Sequence, residues 1–175
     1  MKGAIPFASL AVASGTGTQA LSTTPAAVNW TNLGAAAGDY TAGDAAARPD
    51  LANNRLILAP GTYDVEVSLN GSIDTAGILT LNLRKNGSAI SGARSQFSWA
   101  GSSAQNRHTL KARITLTNDD IPGTISNFAD PASTSFTGAG GATKQGIPVD
   151  VSIAAASGTP TVTISDALFS ATRIG

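Results

Sequence analysis

Residues 61–70 read Gly61-Thr62-Tyr63-Asp64-Val65-Glu66-Val67-Ser68-Leu69-Asn70. Tyr63, Val65, Val67 and Leu69 alternate with Asp64, Glu66, Ser68 and Asn70. A period of two places one set on each face of an extended chain, so this stretch is a strand with one apolar and one polar face. Pro60-Gly61 supplies a turn before it, and Asn70-Gly71 is read as the turn that closes it.

The same pattern recurs outward along the chain. Leu79, Leu81 and Leu83 alternate with Thr80, Asn82 and Arg84, ending at Asn86-Gly87, a pair suited to the positive φ angles of a tight hairpin. Leu110, Ala112, Ile114 and Leu116 alternate with Lys111, Arg113, Thr115 and Thr117. Val149, Val151 and Ile153 alternate with Asp150, Ser152 and Ala154. Shorter strands are expected at Ala26–Trp30, Leu56–Leu58 and Ala93–Trp99, with Phe97 and Trp99 on one face. Val162, Ile164 and then Ala167-Leu168-Phe169 read as a final strand or strand pair. About eight strands separated by turn signals predict an all-β sandwich or jelly roll. Its core is expected to include Tyr63, Val65, Val67, Leu79, Leu81, Leu83, Leu110, Ile114 and Leu116.

Two segments, 31–54 and 121–145, read as long loops within a single domain over residues 19–175. Residues 1–18 carry apolar side chains without a clean period. Lys2 and the run Ala4 to Ala13 have the outline of a secretory signal with cleavage after Ala20, but Pro6 and Ser9 interrupt it. The favoured reading is an extended N-terminal docking arm whose Ile5, Phe7, Leu10 and Val12 contact a partner, since an exposed apolar strand invites aggregation unless covered.

Composition narrows the function classes. The 175 residues carry 11 basic and 11 acidic groups, and only 13% are charged. A neutral chain offers no electrostatic footprint for nucleic acid or an anionic membrane, and lacks the self-repulsion that keeps small proteins apart. No segment reads as a transmembrane helix. There is no cysteine, which removes disulfides, thiolate chemistry and cysteine-ligated metals.

The candidate chemistry is sparse. His108 is the one histidine, and no Gly-x-Ser-x-Gly elbow singles out a serine for it to activate. Asp64 and Glu66 share a strand face and are the pair a glycosidase reading would use. Two solvated carboxylates are the ordinary alternative. Asp119-Asp120 lies outside any EF-hand pattern. Gly138 to Lys144 lacks the spacing of a phosphate-binding loop. Tyr40 or Trp99 would be the platform of a carbohydrate site, against a packing role. No catalytic residue, metal ligand or cofactor is expected.

Leu58-Ala59-Pro60-Gly61-Thr62-Tyr63-Asp64-Val65-Glu66-Val67-Ser68-Leu69, followed by Leu81-Asn82-Leu83-Arg84-Lys85-Asn86-Gly87-Ser88, resembles the globular-head jelly roll of the complement and tumour-necrosis-factor-like superfamily. There a Pro-Gly-x-Tyr turn opens a central strand and a later strand ends in a Lys-Asn-Gly hairpin. Thr109 to Asp120 and Ala167 to Ala171 look like the following and closing strands. The resemblance implies a TNF-like jelly roll and a homotrimer, and no ligand residues. A neutral, cysteine-free jelly roll rich in Ala, Gly, Thr and Ser with an N-terminal arm is further similar to bacteriophage head decoration (cement) proteins. This implies a structural virion protein on the outer surface of the capsid, partnered by itself and the major capsid protein. The alternative is a receptor- or glycan-binding head of a tail fibre or cell-surface protein, using loops 101–106 and 121–145.

Overall fold

The computed structural model describes residues 5–40, 47–101, 104–122, 135–137 and 143–175. In chain order the strands are β1 (Phe7–Val12), β2 (Gly17–Ala20), β3 (Ala26–Ala27), β4 (Ala36–Tyr40), β5 (Ala47–Asp50), β6 (Arg55–Leu58), β7 (Gly61–Ile73), β8 (Gly77–Lys85), β9 (Ser88–Trp99), β10 (Asn106–Leu116), β11 (Ser135–Thr137), β12 (Thr143–Gln145), β13 (Ile147–Ala155) and β14 (Thr161–Arg173). Two six-stranded sheets form a sandwich. One runs β10-β7-β14-β1-β4 with β2 also on β14, and the other runs β5-β6-β13-β8-β9 with β3 also on β13.

The order of the principal strands is a jelly roll. The chain doubles back at the β8–β9 hairpin, and from that tip each earlier strand pairs with a later one: β8 with β9, β7 with β10, β6 with β13, β1 with β14. This four-pair antiparallel ribbon wraps so that β1, β14, β7 and β10 make one sheet and β6, β13, β8 and β9 the other. The tip is the Asn86-Gly87 pair, with φ of 50° and 76°. Two consecutive positive φ angles match the right-handed twist of the flanking strands, and Asn and Gly tolerate them at low cost.

The alternation seen in the sequence becomes the core. Tyr63, Val65, Val67, Leu79, Leu81, Leu83, Leu110, Ile114 and Leu116 are each at most 5% exposed and belong to one continuous cluster between the sheets. Tyr63 keeps a partner for its hydroxyl, which donates to the Ala59 carbonyl at 2.9 Å. Burial pushes its pKa up to about 12. Trp30 stacks on Phe169 with centroids 5.8 Å apart.

Several expectations are corrected. The N-terminal segment is not a free arm: β1 lies between β14 and β4, and Ala8, Leu10 and Val12 are core residues at 0%, 0% and 2% exposure. Leu10 and Val12 therefore face their own chain rather than a partner. Their period was hidden because Ala11 and Ser9 blur the contrast between the two faces. Segment 31–54 is not a plain loop, since it carries β4, β5 and a short 3-10 turn at Leu51–Asn53. Ala, Gly and Asp have little intrinsic strand preference, and pairing with β1 and β6 supplies the order instead. In segment 121–145, β11 and β12 pair with each other. The rest of that segment, 123–134 and 138–142, lies outside the described residues.

Asn70-Gly71 is not a turn either, because β7 runs through it to Ile73. Gly71 is needed for space: a Cβ there would sit 2.1 Å from the Thr163 carbonyl oxygen. That close approach accompanies a bulge in β14, whose register against β7 shifts between Ile164 and Asp166. The extra residue, Ser165, switches the inward set from Val162 and Ile164 to Ala167, Phe169 and Ala171. The apolar parity break in the sequence is thus one bulged strand rather than two strands.

The strand role of the N-terminal segment predicts the cost of single truncations. Leu10→Ala should destabilise the isolated protein by about 2–5 kcal/mol in urea denaturation, the range for a fully buried leucine. Ile5→Ala, at an exposed site, should cost under about 0.5 kcal/mol. Equal small effects would show that β1 is dispensable.

Candidate assembly surface

Register decides which side chains of the first sheet look outward. β1 aligns Phe7 with Thr172, Ser9 with Ser170 and Ala11 with Leu168 on β14. Across β14, Thr172 meets Asp64, Ser170 meets Glu66, and Leu168 meets Ser68 on β7. β10 then places Arg113 beside Asp64, Lys111 beside Glu66, and Thr109 beside Ser68. The outer face is therefore a set of rows running β10-β7-β14-β1: Arg113-Asp64-Thr172-Phe7, Lys111-Glu66-Ser170-Ser9, and Thr109-Ser68-Leu168-Ala11. Ile5 and Ile174 lie just beyond the first row, where the Arg173 amide donates to the Pro6 carbonyl at 2.9 Å.

This face divides in two. The β1–β14 half is apolar or small: Phe7, Ala11 and Leu168, the exposed Ile5 and Ile174, and Ser9 and Ser170. Ser9, Ser68 and Ser170 are only 4%, 7% and 9% exposed. Their short side chains lie low between taller neighbours, and beside Ser170 the face dips into a concavity of about 530 Å³ bordered by Asp64, Glu66, Lys111, Arg113 and Thr172. The β7–β10 half is charged but internally neutral. Arg113 donates to both carboxylate oxygens of Asp64, at 2.8 and 3.2 Å. Lys111 pairs with Glu66 at 3.2 Å. These exposed pairs add little to stability. Their effect is to leave no uncompensated charge in those rows.

The pairs also bear on acid–base chemistry. The hydrogen bond from Arg113 holds the Asp64 carboxyl below the usual carboxylate range. A glycosidase needs one carboxyl raised so that it carries a proton at neutral pH. Asp64 is shifted the other way, and both acids are engaged by cations. Of the second acidic pair, Asp120 is likewise committed: it accepts from Lys85 and from the Thr117 amide at 2.9 Å, which lowers its pKa. Among the described residues no three His, Cys, Asp or Glu side chains gather in a way that would hold a metal ion.

Of the four N-terminal residues expected to meet a partner, Ile5 and Phe7 belong to this outer face, while Leu10 and Val12 point into the core. Residues 5 and 7 share a parity opposite to that of 10 and 12, so a strand reading of this segment would have separated them. Leu168, Ser170 and Ile174 escaped sequence reasoning because the bulge at Ser165 resets the parity of β14; Ser9 escaped because β1 does not read as a strand, whereas Ser68 already stands on the polar face of its strand. Trp99 is 2% exposed and is a core residue, not a carbohydrate platform. The side chain of Tyr40 lies outside the described residues, as do positions 102 and 103 of the 101–106 loop.

His108 has a structural post. It stacks on Phe97 with centroids 3.8 Å apart and planes 8° from parallel, and its Nε2 lies 2.8 Å from Ser95 Oγ. Phe97 in turn meets Trp99 edge to face at 5.9 Å. Because β9 and β10 are the edge strands of opposite sheets, this stack closes one open side of the sandwich. Partial burial lowers the His108 pKa from 6.5. The unfolded chain then binds the proton more tightly than the folded one, so stability is complete above about pH 6.5 and falls as acid carries the protein toward the lower folded pKa. His108 is the one imidazole in the chain. The melting temperature should decline as the pH falls below about 6.5, and His108→Phe should flatten that decline; a wild-type profile flat on the acid side of about pH 6.5 would contradict the assignment.

Along 97% of its length, and over 94% of the other chain, this chain is similar to "Structure of Eiger TNF from S. frugiperda", with 12% identity and a TM-score of 0.46. No family model and no curated protein matches the sequence.

Proposed function

We propose that this chain is a structural assembly protein: a homotrimer that decorates the outer surface of a bacteriophage head and binds the major capsid protein there. The observation that carries this reading is the outer face of the first sheet. Phe7, Ala11, Leu168, Ile5 and Ile174 form an apolar strip interspersed with the low-lying Ser9, Ser68 and Ser170, and the Arg113–Asp64 and Lys111–Glu66 charges bordering it are paired with each other. Interface centres are poor in unpaired charge and rich in apolar contact, which is the character of this strip. An apolar strip on a neutral molecule is also an aggregation liability unless a partner covers it. The expectation of threefold association comes from the resemblance to TNF-like heads, and that of a capsid partner from the resemblance to cement proteins. No catalytic step is assigned.

The test is mass in solution. Sedimentation equilibrium should give three times the chain mass for the wild type. Leu168→Glu, which puts an unpaired charge on the strip without touching the core, should give monomers with an unchanged circular dichroism spectrum. The same variant should fail to cosediment with capsids that lack the protein. A monomeric wild type, or a variant that still assembles and binds capsids, would refute the reading.

A further inference from the structure

The outer face of the second sheet carries a different feature. β8 and β9 align Thr80 with Gln96 and Asn82 with Arg94. On the other side β13 aligns Ala154 with Thr80 and Ser152 with Asn82. Four hydrogen-bonding side chains thus form a two-by-two block beside a run of alanines. The short side chains of Ala154 and Ala156, with Ala155 turned into the core, leave a groove of about 410 Å³, walled on its far side by Thr23 and Pro25. That wall is fixed in place: the Ala155 amide donates to the Ser22 carbonyl at 2.9 Å, and β3 pairs with β13 directly after it.

The bonding state of this block sets it apart from the first sheet. Polar side chains on the other outer face are matched to one another, as in Arg113–Asp64 and Lys111–Glu66. Asp150, on the row next to Asn82, is engaged by Arg84. Among the described residues Thr80, Asn82, Arg94 and Gln96 have no protein partner for their side chains. The groove therefore presents one unneutralised guanidinium, two carboxamides and a hydroxyl over a floor of methyl groups.

We propose that this groove binds a carboxylated sugar, such as a sialic acid or hexuronate residue of a surface glycan. The planar fork of Arg94 fits a carboxylate through two parallel hydrogen bonds. Asn82, Gln96 and Thr80 offer both donors and acceptors to the hydroxyls of the same ring. The alanine floor and Pro25 accept its C–H face. The groove volume suits one or two sugar units. The site lies on the sheet opposite the assembly strip, so it stands or falls independently of the trimer.

The experiment is a titration of the full chain, followed by NMR at the side-chain amides of Asn82 and Gln96 and at Arg94 Nε. N-acetylneuraminic acid and glucuronic acid are the probes, with galactose and acetate as controls. The acidic sugars should shift these three signals saturably, and Arg94→Ala should weaken the binding by about tenfold or more, as expected for loss of a charge-assisted pair. Because Arg94 is exposed and unbonded, this variant should keep the wild-type melting temperature. Absence of saturable shifts, equal binding of galactose or acetate, or unchanged affinity in Arg94→Ala would each overturn the proposal.

Discussion

The placement of β14 is the constraint on which the rest of the fold depends. This strand pairs with β7 along one edge, and with β1 and β2 along the other. It brings residues 167–172 against residues 7–12, so the sheet cannot close until both of these distant segments are present. Contacts this distant in sequence carry a loop-closure cost before they return any burial energy, which makes the sandwich slow to form. The return comes from Phe169, which stacks on Trp30, and from Leu10 and Val12, which complete the core beside it. The bulge at Ser165 is held in place by Ser165 Oγ donating to the Asn70 carbonyl at 3.0 Å, and by the Gly15 amide donating to the Ser165 carbonyl at 2.8 Å.

The same strand sets up the outer surface. After the bulge its outward residues are Leu168, Ser170 and Thr172, aligned with Ala11, Ser9 and Phe7 of β1. Without the extra residue, Ala167, Phe169 and Ala171 would face outward and the core would lose its largest aromatic stack. One inserted residue thus keeps Phe169 inside and leaves a low, mildly apolar strip outside. A strip of this kind next to salt-bridged rows is well suited to meeting another protein surface, because little charge must be desolvated without compensation. The opposite sheet has the reverse character, with unpaired polar groups over an alanine floor. The two faces of the sandwich are therefore equipped for different kinds of contact.

How much of this was legible in the sequence depends on local contrast. β7, β8, β10 and β13 declare themselves because large apolar and polar residues alternate strictly, and Asn86-Gly87 marks the hairpin at the tip of the ribbon. β1, β4 and β5 do not, since Ala, Gly, Ser and Asp neither alternate strongly nor favour strands, and their order comes from distant partners. Gly71 misleads for a related reason. Asn-Gly normally signals a turn, but here glycine answers a close approach by Thr163, which only the tertiary structure reveals. The proposed assembly surface was half visible: Ile5 and Phe7 were singled out, but Leu10 and Val12 were grouped with them for want of a strand parity. The groove on the second sheet could not be read at all, because it joins β8, β9 and β13 with the segment before β3.

Hydroxyl-radical footprinting with mass spectrometry tests the central claim, that the first sheet's outer face is where this protein meets others. Phe7, Leu168 and Ile174 can be followed as reporters of that face, with Ile78, 46% exposed and outside it, as the control. Comparing assembled with dilute protein, the account predicts that labelling of Phe7, Leu168 and Ile174 falls several-fold on assembly while Ile78 stays reactive. Unchanged labelling of the three reporters, or protection of Ile78 instead, would contradict it.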